Sequence, residues 1–344
     1  MTRKSRSRIR RWTQLRDDEL LSLRLGDLPL RIAGATLERR IKKLYQELED
    51  RGLRFRPHVW LSSEWFTPDG IPGFAIPFYL AHPRLIKIER KQMLEVEGGA
   101  EDECMRILRH EAGHAISNAF RLHFRKRWRE LFGLFSTPYP ESYAPKPDSR
   151  HFVLNLSAWY AQAHPAEDFA ETFAVWLKPG SKWAAAYNGW PALEKIEYVD
   201  EVMKKLAGRT PPNRVKKTVE PLSSLDLTLR QHYRRKRANY SINWPAFYDS
   251  HLRRIFSANP RHAGRRSAAQ FLRRLRPELR NLVAEVTGIH HYTIDHVLRY
   301  IIVRSRRLRL CLDTSEQLAR QKVLVMLTAH TMNVVHSGYH RIAL

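Results

Sequence analysis

The chain of 344 residues has only two cysteines, Cys104 and Cys311, set far apart. So few thiols support neither a disulfide framework nor a cysteine-built metal site, and they fit a reducing compartment, here expected to be the cytoplasm. No stretch approaches the roughly 18 consecutive apolar residues of a membrane-spanning helix, so no membrane span is expected. The N-terminal "MTRKSRSRIRRW" is basic, but "TQLRDDELLSLRL" follows where a secretory signal would need an uninterrupted apolar core. Internal repeats, Gly-rich phosphate loops and low-complexity tracts are also missing.

Acidic residues are the other scarcity. The 35 Asp and Glu face 60 Lys and Arg, a net charge of +25, and the imbalance is uneven: from Arg230 to Arg280 there are fourteen Lys/Arg against two acids. A basic surface attracts nucleic acid, anionic membrane or acidic protein without choosing among them. In "RQHYRRKRANYSINW" the cations interleave with Tyr233, Tyr240 and Trp244. That pattern suits phosphate contact with base stacking, and equally a solvated helix face whose aromatic residues turn inward. Possible partners of a basic C-terminal domain are therefore nucleic acid or an acidic protein.

The hydrophobic content of 43% is enough for real cores, and the length fits two domains. Leu37, Ile41, Leu44, Tyr45 and Leu48 recur at helical spacing, predicting a helix over 35–51. "HVWLSS", "GFAIPFYL" and "RLIKIE" read as three short strands separated by turns. "EDECMRILRHEAGHAISNAF" reads as one long helix with acids at its start. Four prolines (138, 140, 145 and 147) make 136–149 a long loop. A further helix starts at Pro165 and runs through "AEDFAETFAVWL". Residues 207–221, "AGRTPPNRVKKTVEP", have the prolines and polarity of a linker, and the chain beyond it looks all-helical.

The helix around "HEAGH" carries the chemistry. His110 and His114 stand one turn apart on one face and can reach a single metal ion, while Glu111 flanks that face, where a general base acts on metal-bound water. Two imidazoles and a carboxylate among small residues can also form a buried polar network. On the second helix Glu167 and Glu171 stack at the edge of an apolar stripe, where a carboxylate is costly unless paired or coordinated. The helix dipole accounts for Glu167 and Asp168 in the first turn but not for Glu171. Ligands His110, His114 and Glu167 leave a fourth position open, as catalytic zinc sites require, and Glu171 then orients a ligand histidine. Gly113 costs the helix roughly 1 kcal/mol relative to Ala, and its expected use is close approach of a second element. His164, before Pro165, is expected to cap the second helix, and His123 and His151 to be ordinary histidines.

"HEAGH" followed some fifty residues later by "PAEDFAETFA" resembles the gluzincin metallopeptidases. The stretch "YAQAHPAEDFAE" is most similar to the zinc-binding metallopeptidase family that shares this pattern with anthrax lethal factor and Mlc titration factor. The motif match covers about residues 105–180, and a looser likeness to the family extends back through the first domain and forward to "GWPALEKIEYVDEVM". It implies one Zn²⁺ per chain on His110, His114 and Glu167, with Glu111 as the base. It also points to Tyr160, seven residues before Glu167, as a phenol that steadies an oxyanion; packing is the alternative for this residue. Glu171 stands where thermolysin-like members have Asp. Ser117 and Phe120 occupy the places of the metzincin Gly and third His, so no third histidine ligand is expected.

The expected fold class is α+β: a gluzincin-like catalytic domain, with a small mixed sheet, the HExxH helix and the Glu-bearing helix, followed by an all-α domain. The expected boundaries are a basic extension at 1–32, a metallopeptidase-like domain at 33–206, a linker at 207–221 and a basic helical domain at 222–344. The function expected first is zinc-dependent hydrolysis of a peptide or amide bond, by Glu-assisted attack of zinc-bound water on a peptide or protein substrate lying along an edge such as "RLIKIE". The other expectation is a nucleic-acid-binding or regulatory protein with a structural or vestigial metal site.

Overall fold

The structure, a computed structural model, describes residues 12–141, 143–240, 248–262 and 264–336. Residues 1–11 of the basic extension, and Trp244 of the basic aromatic stretch, lie outside them. Two compact units emerge: 12–92, 96–141 and 145–234 form the first, and 93–95, 143–144 and 235–336 the second. The chain is mostly helical with one small parallel sheet, an α+β arrangement. Among the described residues no helix is long and apolar enough to cross a membrane.

The first unit begins with a short helix α1 (Asp17–Leu21), then α2 (Thr36–Asp50), strands β1 (His58–Ser62) and β2 (Gly73–Pro77), and α3 (Pro83–Met93), whose last residue falls in the second unit. Strands β1 and β2 pair in parallel, with His58 opposite Gly73 and Ser62 opposite Pro77. Phe66 adds a lone antiparallel bridge to Ala75. The third expected strand is absent: "RLIKIE" lies inside α3. Its Leu85, Ile88 and Glu89 are buried at helical spacing, Pro83 sits at the helix start, and His82 Nδ1 accepts the N–H of Arg84 at 3.0 Å. Helix-start chemistry and i, i+3, i+4 burial thus override the strand-like composition, and no strand edge for a substrate exists there.

Two stretches expected outside the domain belong to its body. Trp12, Leu20, Leu25 and Leu28 are buried, Asp17 bridges Arg84 at 2.6 Å, and Leu25 N–H donates to Leu227 O at 2.8 Å. The alternate side chains of β1, which share one face, reach the backbone carbonyls of 217–220: His58 pairs with Lys217, Trp60 Nε1 donates to Val219 at 2.9 Å and Ser62 Oγ to Glu220 at 2.7 Å. The stretch 207–221 therefore lies within the first unit, which runs on to Arg234.

Helices α4 (Glu101–Phe120), α5 (Lys126–Phe132), α6 (Pro165–Leu177), α7 (Trp183–Ala186) and α8 (Ala192–Leu206) follow, and α9 (Leu229–Asn239) passes from the first unit into the second. Acidic Glu101, Asp102 and Glu103 open α4, where the helix dipole favours them. Pro165 opens α6, and His164 caps it by accepting Ala166 N–H at 3.1 Å. Apart from Pro165 every residue of α6 is buried, and α4 is buried from Ile107 to Gly113. They meet at Gly113, where a Cβ would stand 2.9 Å from Ala170 Cα and 3.1 Å from its carbonyl oxygen. Two buried ion pairs fix the rotation of these helices: Arg109 forks onto Glu47 of α2 at 2.7 and 2.8 Å, and Lys195 of α8 meets Asp168 at 2.6 Å.

The second unit is helical: α10 (Tyr248–Ile255), α11 (Ala268–Thr287), α12 (His291–Arg307) and α13 (Glu316–His336). Its core gathers Phe256, Phe271, Leu272, Leu279, Ile294 and Leu298. Asp295 is completely buried and accepts from Arg276 at 2.6 Å and Arg299 at 2.9 Å, with Arg280 at 3.7 Å. Burial works against its charge, but Arg276 above all outweighs that and holds the carboxyl below its ordinary value.

Gly113→Ala gains about 1 kcal/mol of helix propensity but forces an overpacked crossing costing about 1–3 kcal/mol, so the variant is expected to be less stable, or neutral at best; its urea midpoint measures this. Asp295→Asn should lower the midpoint at pH 7 by the equivalent of about 3 kcal/mol. Because the folded pKa is depressed, the contribution of Asp295 is present above the unfolded value of about 3.9 and is lost as pH falls through the folded one, so the gap between wild type and variant should close in acid.

Candidate metal centre

One turn of α4 and the first turn of α6 place three donor atoms in a nearly equilateral triangle. His110 Nε2 lies 3.1 Å from His114 Nε2 and 3.0 Å from Glu167 Oε2, and His114 Nε2 lies 3.1 Å from that same oxygen. Among the described residues these three form the one group of His, Cys, Asp or Glu donors able to hold a metal ion together. Zinc–nitrogen and zinc–oxygen bonds of about 2.0–2.1 Å at tetrahedral angles hold ligand atoms about 3.3 Å apart, so the triangle needs to open by only a few tenths of an ångström.

Two of the three donors, His110 and Glu167, are held from behind. His110 Nδ1 is 2.8 Å from Glu171 Oε1, so its outer N–H donates to that carboxylate and Nε2 is turned to the triangle. Glu171 is fully buried, and it also accepts from Asn155 Nδ2 and from Leu156 N–H, both at 2.8 Å. The longer arm of Glu in this position is thus accommodated by anchoring both of its oxygens. Glu167 presents Oε2 to the histidines, while Oε1 accepts from the Tyr139 hydroxyl at 2.7 Å. Tyr139 stacks on His164 with ring centroids 3.8 Å apart, which fixes the phenol to the start of α6.

The charges show what the pocket favours. Burial disfavours the protonated His110 ring, but hydrogen bonds to Glu167 and Glu171 outweigh it and hold the imidazole well above its ordinary value. Burial would raise Glu167, yet His114 and His110 draw it well below the usual carboxylate range. Desolvation of its hydroxyl, on a residue that is 48% exposed as a whole, and the adjacent Glu167 push the Tyr139 phenol up, so it stays protonated and donates. With two acids against His110, the cluster is built to hold positive charge.

Glu111 points from the same turn into this setting. It is buried, and burial raises its carboxyl despite the two histidines. Thr67, in the loop between β1 and β2, donates its hydroxyl to Glu111 Oε2 at 2.7 Å. Asn118 steadies that loop by donating to the carbonyls of Pro68 and Ile71 at 3.1 and 3.0 Å. Tyr160 lies in a short 3₁₀ segment (Ser157–Gln162), its ring centroid 5.6 Å from that of His110. The preceding Ala158 and Trp159 have φ of 59° and 53°, a conformation that costs non-glycine residues energy and aims the chain sharply here.

All six residues singled out in the sequence, His110, Glu111, His114, Tyr160, Glu167 and Glu171, fall in this one region. Thr67, Tyr139 and Asn155 did not stand out, because they come from irregular loops without a period or motif. His123 packs between Phe124 and Phe135 and is not one of the grouped donors.

Residues 101–234 match the model of a family described as "Putative zinc-binding metallo-peptidase". The match begins at the first residue of α4, takes in α6, and ends at the last residue of the first unit. It extends beyond the 105–180 of the motif resemblance and includes the stretch 207–221. No curated protein and no solved structure matches the chain. The similarity to this family suggests zinc binding, and the donor triangle is a group that could hold a metal ion.

Elemental analysis of the purified chain is expected to give about one zinc per molecule, lost in His114→Ala. Glu171→Gln should keep the fold and weaken zinc about 10–100-fold in chelator competition, because the amide cannot hold the His110 ring as the carboxylate does.

Proposed function

We propose that this chain is a zinc-dependent peptidase or amidase of the gluzincin type, with His110, His114 and Glu167 as ligands, Glu111 as general base and Glu171 behind His110. The observation that carries the proposal is the convergence of two Nε2 atoms and one carboxylate oxygen at 3.0–3.1 Å from one another, with a second buried carboxylate on the same helical turn. Zinc bound there supplies Lewis acidity, acidifying water and polarising a carbonyl.

The rest of the chemistry belongs to side chains. Glu111 takes a proton from the attacking water and delivers it to the leaving nitrogen as the C–N bond breaks. Its raised pKa brings it nearer the range in which a carboxyl can both accept and release a proton. Thr67 anchors one carboxylate oxygen, which limits rotation of Glu111 and keeps the other oxygen for proton transfer. Tyr139 occupies Glu167 Oε1 and so favours binding through Oε2 alone. Tyr160, beside the His110 ring, is assigned the role of donor to the oxyanion of the substrate.

A structural zinc site is ordinarily closed by four protein ligands, and among the described residues three converge here. That count supports an open, catalytic site over the alternative of a structural or vestigial one. The substrate class is a peptide or protein, in keeping with the family that residues 101–234 match.

Glu111→Gln is expected to retain zinc and to lose turnover by about 10²–10⁴-fold, read by mass spectrometry on a proteome-derived peptide library. Full hydrolysis by a zinc-loaded Glu111→Gln protein would remove Glu111 from the mechanism.

A further inference from the structure

The candidate metal centre has an apolar flank that the chemistry above leaves unexplained. Of the five large hydrophobic side chains exposed among the described residues of the first unit, Phe124 at 68%, Leu134 at 59% and Tyr139 at 48% lie on one short stretch of chain, which ends in the hydrogen bond of Tyr139 to Glu167. Apolar residues scattered singly over a surface need no explanation; a contiguous patch marks a contact site.

The patch is contiguous. Phe124 packs on His123 with ring centroids 4.3 Å apart, His123 stacks on Phe135 at 4.3 Å, Phe135 meets His164 edge-on at 6.5 Å, and His164 stacks on Tyr139 at 3.8 Å. An aromatic wall therefore runs from just beyond α4 to the phenol that occupies Glu167 Oε1. Its two imidazoles do not make it polar. His164 Nδ1 accepts Ala166 N–H, so Nε2, 2.6 Å from the Thr137 carbonyl, is the donor, and the ring is the neutral tautomer. Burial holds the His123 ring below its ordinary value despite the charge of Asp69, so it too is uncharged near neutral pH.

The wall is also fixed in place. Gly133, at φ 105°, passes so close to Pro165 that a Cβ would stand 3.2 Å from its Cγ. Residues 133, 137 and 139 thus dock in turn on 165, 164 and 167, at the start of the helix that carries the proposed ligand Glu167. Rings ordered before a ligand arrives lose little freedom when it binds. Asp69, in the loop whose Thr67 holds Glu111, acts through its charge on both His123 and Tyr139, which sets both ends of the wall beside the loop of the proposed base.

We propose that this wall is a substrate subsite, in which Phe124, Leu134 and the exposed ring of Tyr139 receive a large apolar or aromatic side chain flanking the bond to be cleaved. The inference rests on the hydrolytic reading above and adds to it the class of peptide. Tyr139 joins the two places, with its hydroxyl on Glu167 and its ring on the wall. At about 3.3 Å per residue of extended chain, a side chain one or two residues from a carbonyl at the donor triangle reaches it.

The zinc-loaded full chain is tested on a proteome-derived peptide library, with cleavage sites read by mass spectrometry. One position within about two residues of the cleaved bond is expected to be enriched in Phe, Tyr, Trp, Leu or Met, and alanine there should lower kcat/KM about 10–100-fold. The double variant Phe124→Ser, Leu134→Ser alters exposed side chains alone. It should keep zinc and cleave the alanine peptide as the wild type does, while losing most of the advantage of the aromatic one. If circular dichroism shows the double variant unfolded, Phe124→Ser alone decides. Binding is read separately, by fluorescence anisotropy of labelled alanine-based octapeptides with a central Phe, Leu, Lys or Ala on zinc-loaded Glu111→Gln protein. Selective binding of the Phe and Leu peptides without any hydrolysis by the wild type would remove the peptidase reading and still support the subsite. Equal handling of the Phe and Ala peptides in both assays, a preference for Lys or Arg, or an undiminished apolar preference in the folded variant would overturn the proposal.

Discussion

The contact between the α4 backbone at Gly113 and the α6 backbone at Ala170 governs the rest of the first unit. Metal ligands carried on two helices must converge within a few tenths of an ångström, and helix axes ordinarily stand 8–10 Å apart because side chains keep them there. Removing the side chain at Gly113 lets α6 come close enough for Glu167 to reach His110 and His114. Close approach alone leaves each helix free to roll. The residues beside the candidate ligands oppose that: Arg109 precedes His110 and is forked onto Glu47, while Asp168 follows Glu167 and is held by Lys195. Both pairs are buried, and breaking either leaves an uncompensated charge in the core, so each helix has one favoured rotation.

Burial then sets the chemistry. His110, Glu167 and Glu171 are all nearly inaccessible, so none can rely on water to support its charge. They support each other, with one imidazole between two carboxylates. His110, His114 and Glu167 would hold a dication at the triangle, where its charge would stand in for the proton that the carboxylates attract to Nε2. The loops contribute what helices cannot place. Thr67 and Tyr139 each hold one oxygen of a carboxylate, one on the proposed base and one on a proposed ligand, and in doing so separate the duties of the two oxygens.

What the sequence discloses follows periodicity. The "HEAGH" turn and the helix from Pro165 were readable because spacing of four residues on a helix fixes which side chains share a face. Thr67, Tyr139 and Asn155 were not readable, since their approach depends on loop paths. "RLIKIE" misled because its aliphatic residues suit a strand, whereas Leu85 and Ile88 are three apart and both buried on one helix face. Residues 207–221 looked like a linker because they lack apolar anchors, yet it is their backbone carbonyls that His58, Trp60 and Ser62 use. Composition is blind to backbone acceptors.

The two units rest on electrostatics of different kinds. In the first, charges are paired in a dry interior where ions of the solution do not reach, so the geometry of the donor triangle should be indifferent to ionic strength. In the second, the acids are tied up in local pairs and the exposed guanidinium groups at the end of α12 face solvent, where the screening length is about 10 Å at 0.1 M salt. Where the excess of +25 rests on exposed arginines it creates an anion-attracting surface, while the buried carboxylates have low or raised proton affinities set by burial and by close neighbours. A single chain can therefore hold a buried cluster of mutually supporting charges and an exposed basic surface, because the interactions that set each are short-ranged under the same conditions.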